Sequence, residues 1–151
     1  MNFRSIQFFA LGFLFTLCSV SAGLAQATSA SKLPAVEVTS TAAYAEVLFH
    51  QVQMNSELES LLVEYTENHP KVQELKYGVF LAMRESARLK QLKPCGEGRL
   101  TAALGKLMVG KIDAELGLWV LQQKYGDGHP DVKRAKRKVE IFEAAIKEIL
   151  S

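Results

Sequence analysis

Cysteine is scarce in this 151-residue chain, which has only Cys18 and Cys95. Two cysteines make no disulfide framework, and no C-x-x-C pair offers a zinc or redox motif. A Walker loop, a G-x-S-x-G elbow and a Glu-x-x-His pair are missing too. The chain therefore has no phosphate cradle, no poised serine and no di-iron ligand set of the ferritin kind. Charge of one sign is lacking as well: 18 Lys and Arg stand against 16 Asp and Glu. Nothing global draws such a chain to nucleic acid. Past the first apolar run, no stretch is long enough to cross a bilayer. Sustained alternation and clusters of β-branched residues are also missing, which argues against a sheet. The expectation is a non-enzymatic, all-α protein without cofactor or metal.

What is there is a repeat. Leu61, Tyr65, His69, Pro70 and Val72 recur as Leu121, Tyr125, His129, Pro130 and Val132, 60 residues later and without a gap. Leu58, Lys76 and Val79 likewise match Leu118, Lys136 and Val139, and Thr41-Ala42-Ala43 matches Thr101-Ala102-Ala103. Such a repeat fixes architecture, and this one reads as a helical hairpin written twice. Pro70 and Pro130 lack an N–H and have φ preset near the helical value, so they suit the first position of a helix. The proline pushes His69 and His129 to extended geometry, as an N-cap residue requires. Tyr65 and Tyr125, one turn before the break, are placed to staple each tip. Asn68, and Gly126 or Gly128, can end the preceding helix in the left-handed conformation.

Taken in order, residues 1–27 read as a secretory signal peptide: Arg4, an apolar run from Phe8 to Val20, then the Ala25-Gln26-Ala27 site. Cleavage after Ala27 is expected. The alternative is an uncleaved membrane anchor. A lipobox wants a small residue just before Cys18, and Leu17 stands there. Residues 28–39 read as a flexible leader, 40–93 as the first hairpin, 94–98 as a loop and 99–151 as the second hairpin.

A heptad runs through each predicted helix: Tyr44, Val47, Gln51, Met54, Leu58, Leu61, Tyr65; Val72, Leu75, Val79, Ala82, Ser86, Leu89; Leu104, Leu107, Lys111, Ala114, Leu118, Leu121, Tyr125; Val132, Ala135, Val139, Phe142, Ile146, Ile149. The spacing predicts a four-helix bundle or an antiparallel coiled coil. Leu48, Val52, Leu62, Phe80, Met83, Met108, Ile112 and Ile141 widen the stripe to a bundle face. Residues 33–70 hold six glutamates and no Lys or Arg, while residues 71–111 hold nine basic and three acidic residues; the second copy repeats the switch. That predicts complementary charged edges within each hairpin.

Several residues are candidates for function. Lys133, Arg134, Lys136, Arg137 and Lys138 crowd the start of the fourth helix. Cations there oppose the helix dipole, which marks them as a face for an anionic partner rather than a stabilising choice. The bland reading is a solvated face. With Cys18 removed, Cys95 is an unpaired cysteine in an oxidising compartment, which reads as an incidental free thiol or as one half of an intermolecular disulfide. It sits between Pro94 and Gly96 with no histidine near in sequence, so a catalytic thiol is not expected. His69 and His129 would fall at one end of an up-down bundle, within reach of a shared metal in principle, but a turn histidine before proline needs no ligand. Gln51 and Lys111 are polar on the buried stripe. They either fix register or line a cavity in a small-ligand or metal carrier.

The turn Leu-x-x-x-Tyr-x-x-x-His-Pro-x-Val, carried by Leu61 to Val72 and again by Leu121 to Val132, resembles the periplasmic coiled-coil segment of Wzz-like polysaccharide chain-length determinants. In that family the motif is structural rather than catalytic, and it covers about a dozen residues per copy. This sequence holds no second membrane segment and no kinase-like part. Gly126 to Val132 also resembles the turn of kinesin-light-chain-like tetratricopeptide repeats, though those repeats are nearer forty residues than sixty. The first resemblance implies an exported, periplasmic or secreted helical protein associated with the cell envelope or its polysaccharide. The expected partners are a protein or an anionic envelope polymer, with a homo-oligomer among the alternatives.

Overall fold

The computed structural model describes residues 37–92 and 98–151. The signal segment, most of the leader and Cys95 lie outside the described residues. Four helices fill them: α1 (Ala42–Glu64), α2 (Pro70–Gln91), α3 (Ala102–Lys124) and α4 (Pro130–Leu150). The all-α expectation holds.

Each helix starts just after a residue whose side chain caps it. Thr41 Oγ1 accepts the Tyr44 N–H at 3.4 Å, and Thr101 Oγ1 accepts the Leu104 N–H at 3.3 Å. His69 and His129 cap α2 and α4 with Pro at the next position; Nδ1 accepts from Lys71 N at 3.3 Å and from Asp131 N at 3.2 Å. The tyrosines do staple the tips. Tyr65 and His69 have ring centroids 4.3 Å apart, and Tyr125 and His129 are 4.2 Å apart.

The helix ends differ from the glycine expectation. Neither Gly126 nor Gly128 has φ in the left-handed region. Instead, α1 and α3 end at Tyr65 and Tyr125, which swing to extended backbone at φ −120° and −132°. The reason is the staple: each Tyr leaves the helix so that its ring reaches the His four residues further on. The end of the leader is also more ordered than expected, since Val38–Ser40 form a 3₁₀ turn and Val38 packs on the core.

Within each hairpin the helices are antiparallel. Ser86 Oγ on α2 donates to Gln51 Oε1 on α1 at 3.4 Å, and Gly110 on α3 lies against the Phe142 ring on α4. Between hairpins, α1 and α3 run parallel. Gly105 lies against Ala43 and Glu46, the Ala43 N–H donates to Leu100 O at 3.2 Å, and His50 Nε2 lies 3.1 Å from Asp113 Oδ1 further along. The α2 helix crosses α3 antiparallel, with Tyr77 stacked on Trp119 at 5.0 Å. Thus α1, α2 and α3 pack on one another, α4 approaches only α3 through its backbone, and both His-Pro turns fall at the same end.

The main core gathers Val47, Met54, Leu81, Leu89, Leu104, Met108, Ile112 and Ile146, and a smaller cluster of Leu58, Val72 and Leu75 lies near the first turn. The widened bundle face is only partly realised. Met108 and Ile112 are buried, but Leu48, Val52, Phe80, Met83 and Ile141 are exposed. A bundle with α4 seated on α3 alone leaves the outer flanks of α1 and α2 uncovered. Among the described residues, no helix is long and apolar enough to cross a membrane.

Candidate functional site

The most constrained chemistry in the described residues is a cluster of charges where α2, α3 and α4 meet. Lys111, on the buried stripe of α3, is 7% exposed, and Glu85 on α2 is 1% exposed. Lys111 Nζ lies 3.0 Å from Glu85 Oε1 and 2.6 Å from Glu143 Oε2 on α4. Arg84 Nη2 lies 2.9 Å from Glu85 Oε1 and also pairs with Glu115 on α3. Arg88 completes the ring, donating to both oxygens of Glu143 at 3.0 and 3.1 Å. Three bases face three acids, so the cluster is neutral as a unit. That matters because an unpaired charge at this depth would be forbiddingly expensive.

The ionisation equilibria follow from this geometry. Burial is the largest influence on Glu143 and raises it, but hydrogen bonds from Arg88 and Lys111 outweigh burial and hold the carboxyl below its ordinary value. Burial likewise pulls Arg84 down, and Glu115 and Glu85 more than reverse it. The Arg88 guanidinium is held up chiefly by its hydrogen bond to Glu143. Arg84, Arg88 and Glu143 are thus all held in their charged forms. Glu85 Oε2 makes no hydrogen bond, and its nearest cation is Arg88 Nη1 at 3.5 Å. A group of this kind acts as a clamp between the hairpins. Gln51, the other polar stripe position, is held by Ser86 within the first hairpin.

The expected complementary edges appear only at the tips, where Lys76 meets Glu67 at 3.0 Å and Lys136 meets Asp127 at 2.9 Å, and the α3–α4 pair Lys111–Glu143 has the opposite sense, base on α3 and acid on α4. No ion pair joins α1 to α2 among the described residues. The charges instead reach from α2 to α3 and α4, because Glu85, Arg84 and Arg88 lie on the flank of α2 turned away from α1. Sequence reading singled out Lys111 but missed its partners. The available signal was Glu85 itself, an acid standing between Arg84 and Arg88 on a helix with five basic residues and only Glu74 as another acid.

The basic run at the start of α4 is on the surface, and acids already answer part of it. Arg134 pairs with Asp131, Lys136 with Asp127 at 2.9 Å, and Arg137 with Glu140 at 2.9 Å. Lys136 and Arg134 in turn hold Asp127 and Asp131 below the ordinary carboxylate value. Lys133 and Lys138 have no ion-pair partner among the described residues. Asp131 in the first turn also answers the helix dipole that the cations oppose.

His69 and His129 spend Nδ1 on capping, and no group of three metal-ligating side chains occurs among the described residues. A cleft of about 600 Å³ opens between the start of α2 and the end of α3, lined by His69, Gln73, Glu74, Trp119 and Gln123. The chain matches no family, curated protein or solved structure.

Proposed function

We propose that this is an exported, non-enzymatic helical interaction protein of the cell envelope, acting through its outer faces. One observation carries the reading. The interior satisfies its own charges, while large apolar side chains remain outside: Phe49 is 62% exposed, Val52 55%, Phe80 57%, Met83 55% and Ile141 58%. Single exposed hydrophobics are ordinary, but Phe49 with Val52 and Phe80 with Met83 stand one turn apart on adjacent helices, which supports a contact surface. Export rests on the apolar leader and the Ala25-Gln26-Ala27 site. The envelope setting rests on the turn motif that resembles the chain-length determinants.

The test has two arms. N-terminal sequencing of exported protein should begin at Thr28; a mature chain starting at Met1 and fractionating with membranes means an anchor. Cross-linking in native envelope extract should then yield specific adducts that Phe49→Asp/Met83→Asp loses while keeping its helical signal. Identical adducts from both proteins, or none from wild type, would defeat the reading. The rival reading is a small-ligand carrier, and the cleft beside Trp119 is the observation in its favour. Trp119 is the sole tryptophan, so its fluorescence should shift when the apo-protein meets the small-molecule fraction of that extract. An unchanged spectrum removes the carrier.

A further inference from the structure

Two helix faces that do not meet within the chain are complementary to each other. The α1 helix carries Glu46, Glu57, Glu59 and Glu64 and no Lys or Arg, and none of these four glutamates forms an ion pair among the described residues. Its exposed side also bears Phe49 and Val52. The α4 helix bares Arg134, 77% exposed at its side chain, together with Arg137, Lys138 and Ile141. Its backbone does not approach α1.

The spacings match. Glu59 lies seven residues after Val52 on α1, and Arg134 lies seven residues before Ile141 on α4. Seven residues are two helical turns, so each pair lies on one side of its helix. With the helices antiparallel, Arg134 meets Glu59 when Ile141 meets Val52. One turn further on, the large Phe49 falls opposite the small, exposed Ala144. Charge, apolar surface and side-chain size are thus satisfied in a single register.

Resting on the interaction reading above, we propose that the partner of the α1 face is a second copy of this chain, docking α4 antiparallel through Glu59–Arg134 and Val52–Ile141. If both copies engage each other through both faces, the contact is a two-fold dimer; if each copy uses one face on each neighbour, it is heterologous and extends from copy to copy.

Sedimentation velocity of the purified exported chain tests this. At low salt the weight-average mass should rise with concentration, and physiological salt should lower it, since exposed charges are screened beyond about 8 Å. Glu59→Arg and Arg134→Glu should each weaken association by roughly ten-fold. The double variant Glu59→Arg/Arg134→Glu should restore it, which a nonspecific surface effect would not do. Both positions are exposed, so unchanged circular dichroism and melting should confirm the fold of each variant. A wild type that stays monomeric at low salt, or a double variant no better than the singles, overturns the pairing. Envelope adducts that persist with such a monomer would leave the interaction reading standing with a different partner. Loss of both would remove the two together.

Discussion

Lys111 shows at the residue scale how one polar side chain on an apolar stripe specifies an arrangement. Its ammonium is buried against Glu85 and Glu143. Replacing Lys111 by Met should cost about 3–5 kcal/mol, since it leaves Glu85 buried with fewer cations. Replacing both, as Lys111→Met/Glu85→Leu, should recover most of that loss, because the remaining pairs Arg84–Glu115 and Arg88–Glu143 still balance and no buried acid is stranded. Urea unfolding of the four-member cycle measures it. If the double variant loses the sum of the two singles, the groups are not coupled. Glu143 adds a pH dependence. Its carboxyl is held below the ordinary value in the folded state, so its contribution is fully present above about pH 4.3. That contribution is lost as pH falls further, through the lower folded value. The urea midpoint of wild type should therefore drop more steeply between pH 5 and pH 3 than that of Glu143→Gln (roughly the window in which carboxylates titrate).

At the scale of elements, the joint between hairpins depends on a missing side chain. A Cβ at Gly105 would lie 2.7 Å from Glu46 Cβ and 2.9 Å from Ala43 O. The second of these is backbone and cannot rotate away. Gly105→Ala should force α1 and α3 apart and cost about 1–3 kcal/mol, although alanine favours a helix everywhere else. Thermal melting checks the sign: a stabilised variant would mean the close approach is not maintained in solution. The two hairpins also exchange bulk. Gly110 on α3 makes room for Phe142 on α4, while the first copy places His50 and Ala82 at the equivalent positions. The large residue thus stands on the other helix. Leu118 is only half-buried, so truncating it should cost less than truncating the fully buried Leu81, for which about 2–5 kcal/mol is expected.

For the whole molecule, the copies are not independent beads. Glu85, Arg84 and Arg88 belong to the first hairpin, and the second supplies Lys111, Glu115 and Glu143. A peptide of residues 37–92 alone would strand a buried acid and bare the α3-facing side of α1 and α2. It should melt broadly and well below the full chain, as expected of one helix pair with little core. Cooperative melting at the temperature of the intact protein would show that the inter-hairpin cluster contributes nothing.

The amino-acid sequence by itself determined the helices, the histidine caps, the duplicated His-Pro turn and most of the buried stripe. These depend on interactions within a few residues or on a fixed period: His69 and His129 cap locally, Pro70 and Pro130 begin helices by their own φ, and Leu75 or Leu104 is buried because the period demands it. Only the tertiary structure decided which flank of each helix is covered. Val52, Phe80 and Met83 fit an apolar face by spacing yet stand exposed, because α4 rests on α3 and does not close the ring. The partners of Lys111 were hidden for the same reason. They lie 26 and 32 residues away in the chain, and a charge reveals its partner only when packing has fixed which helices meet and which atoms lose water.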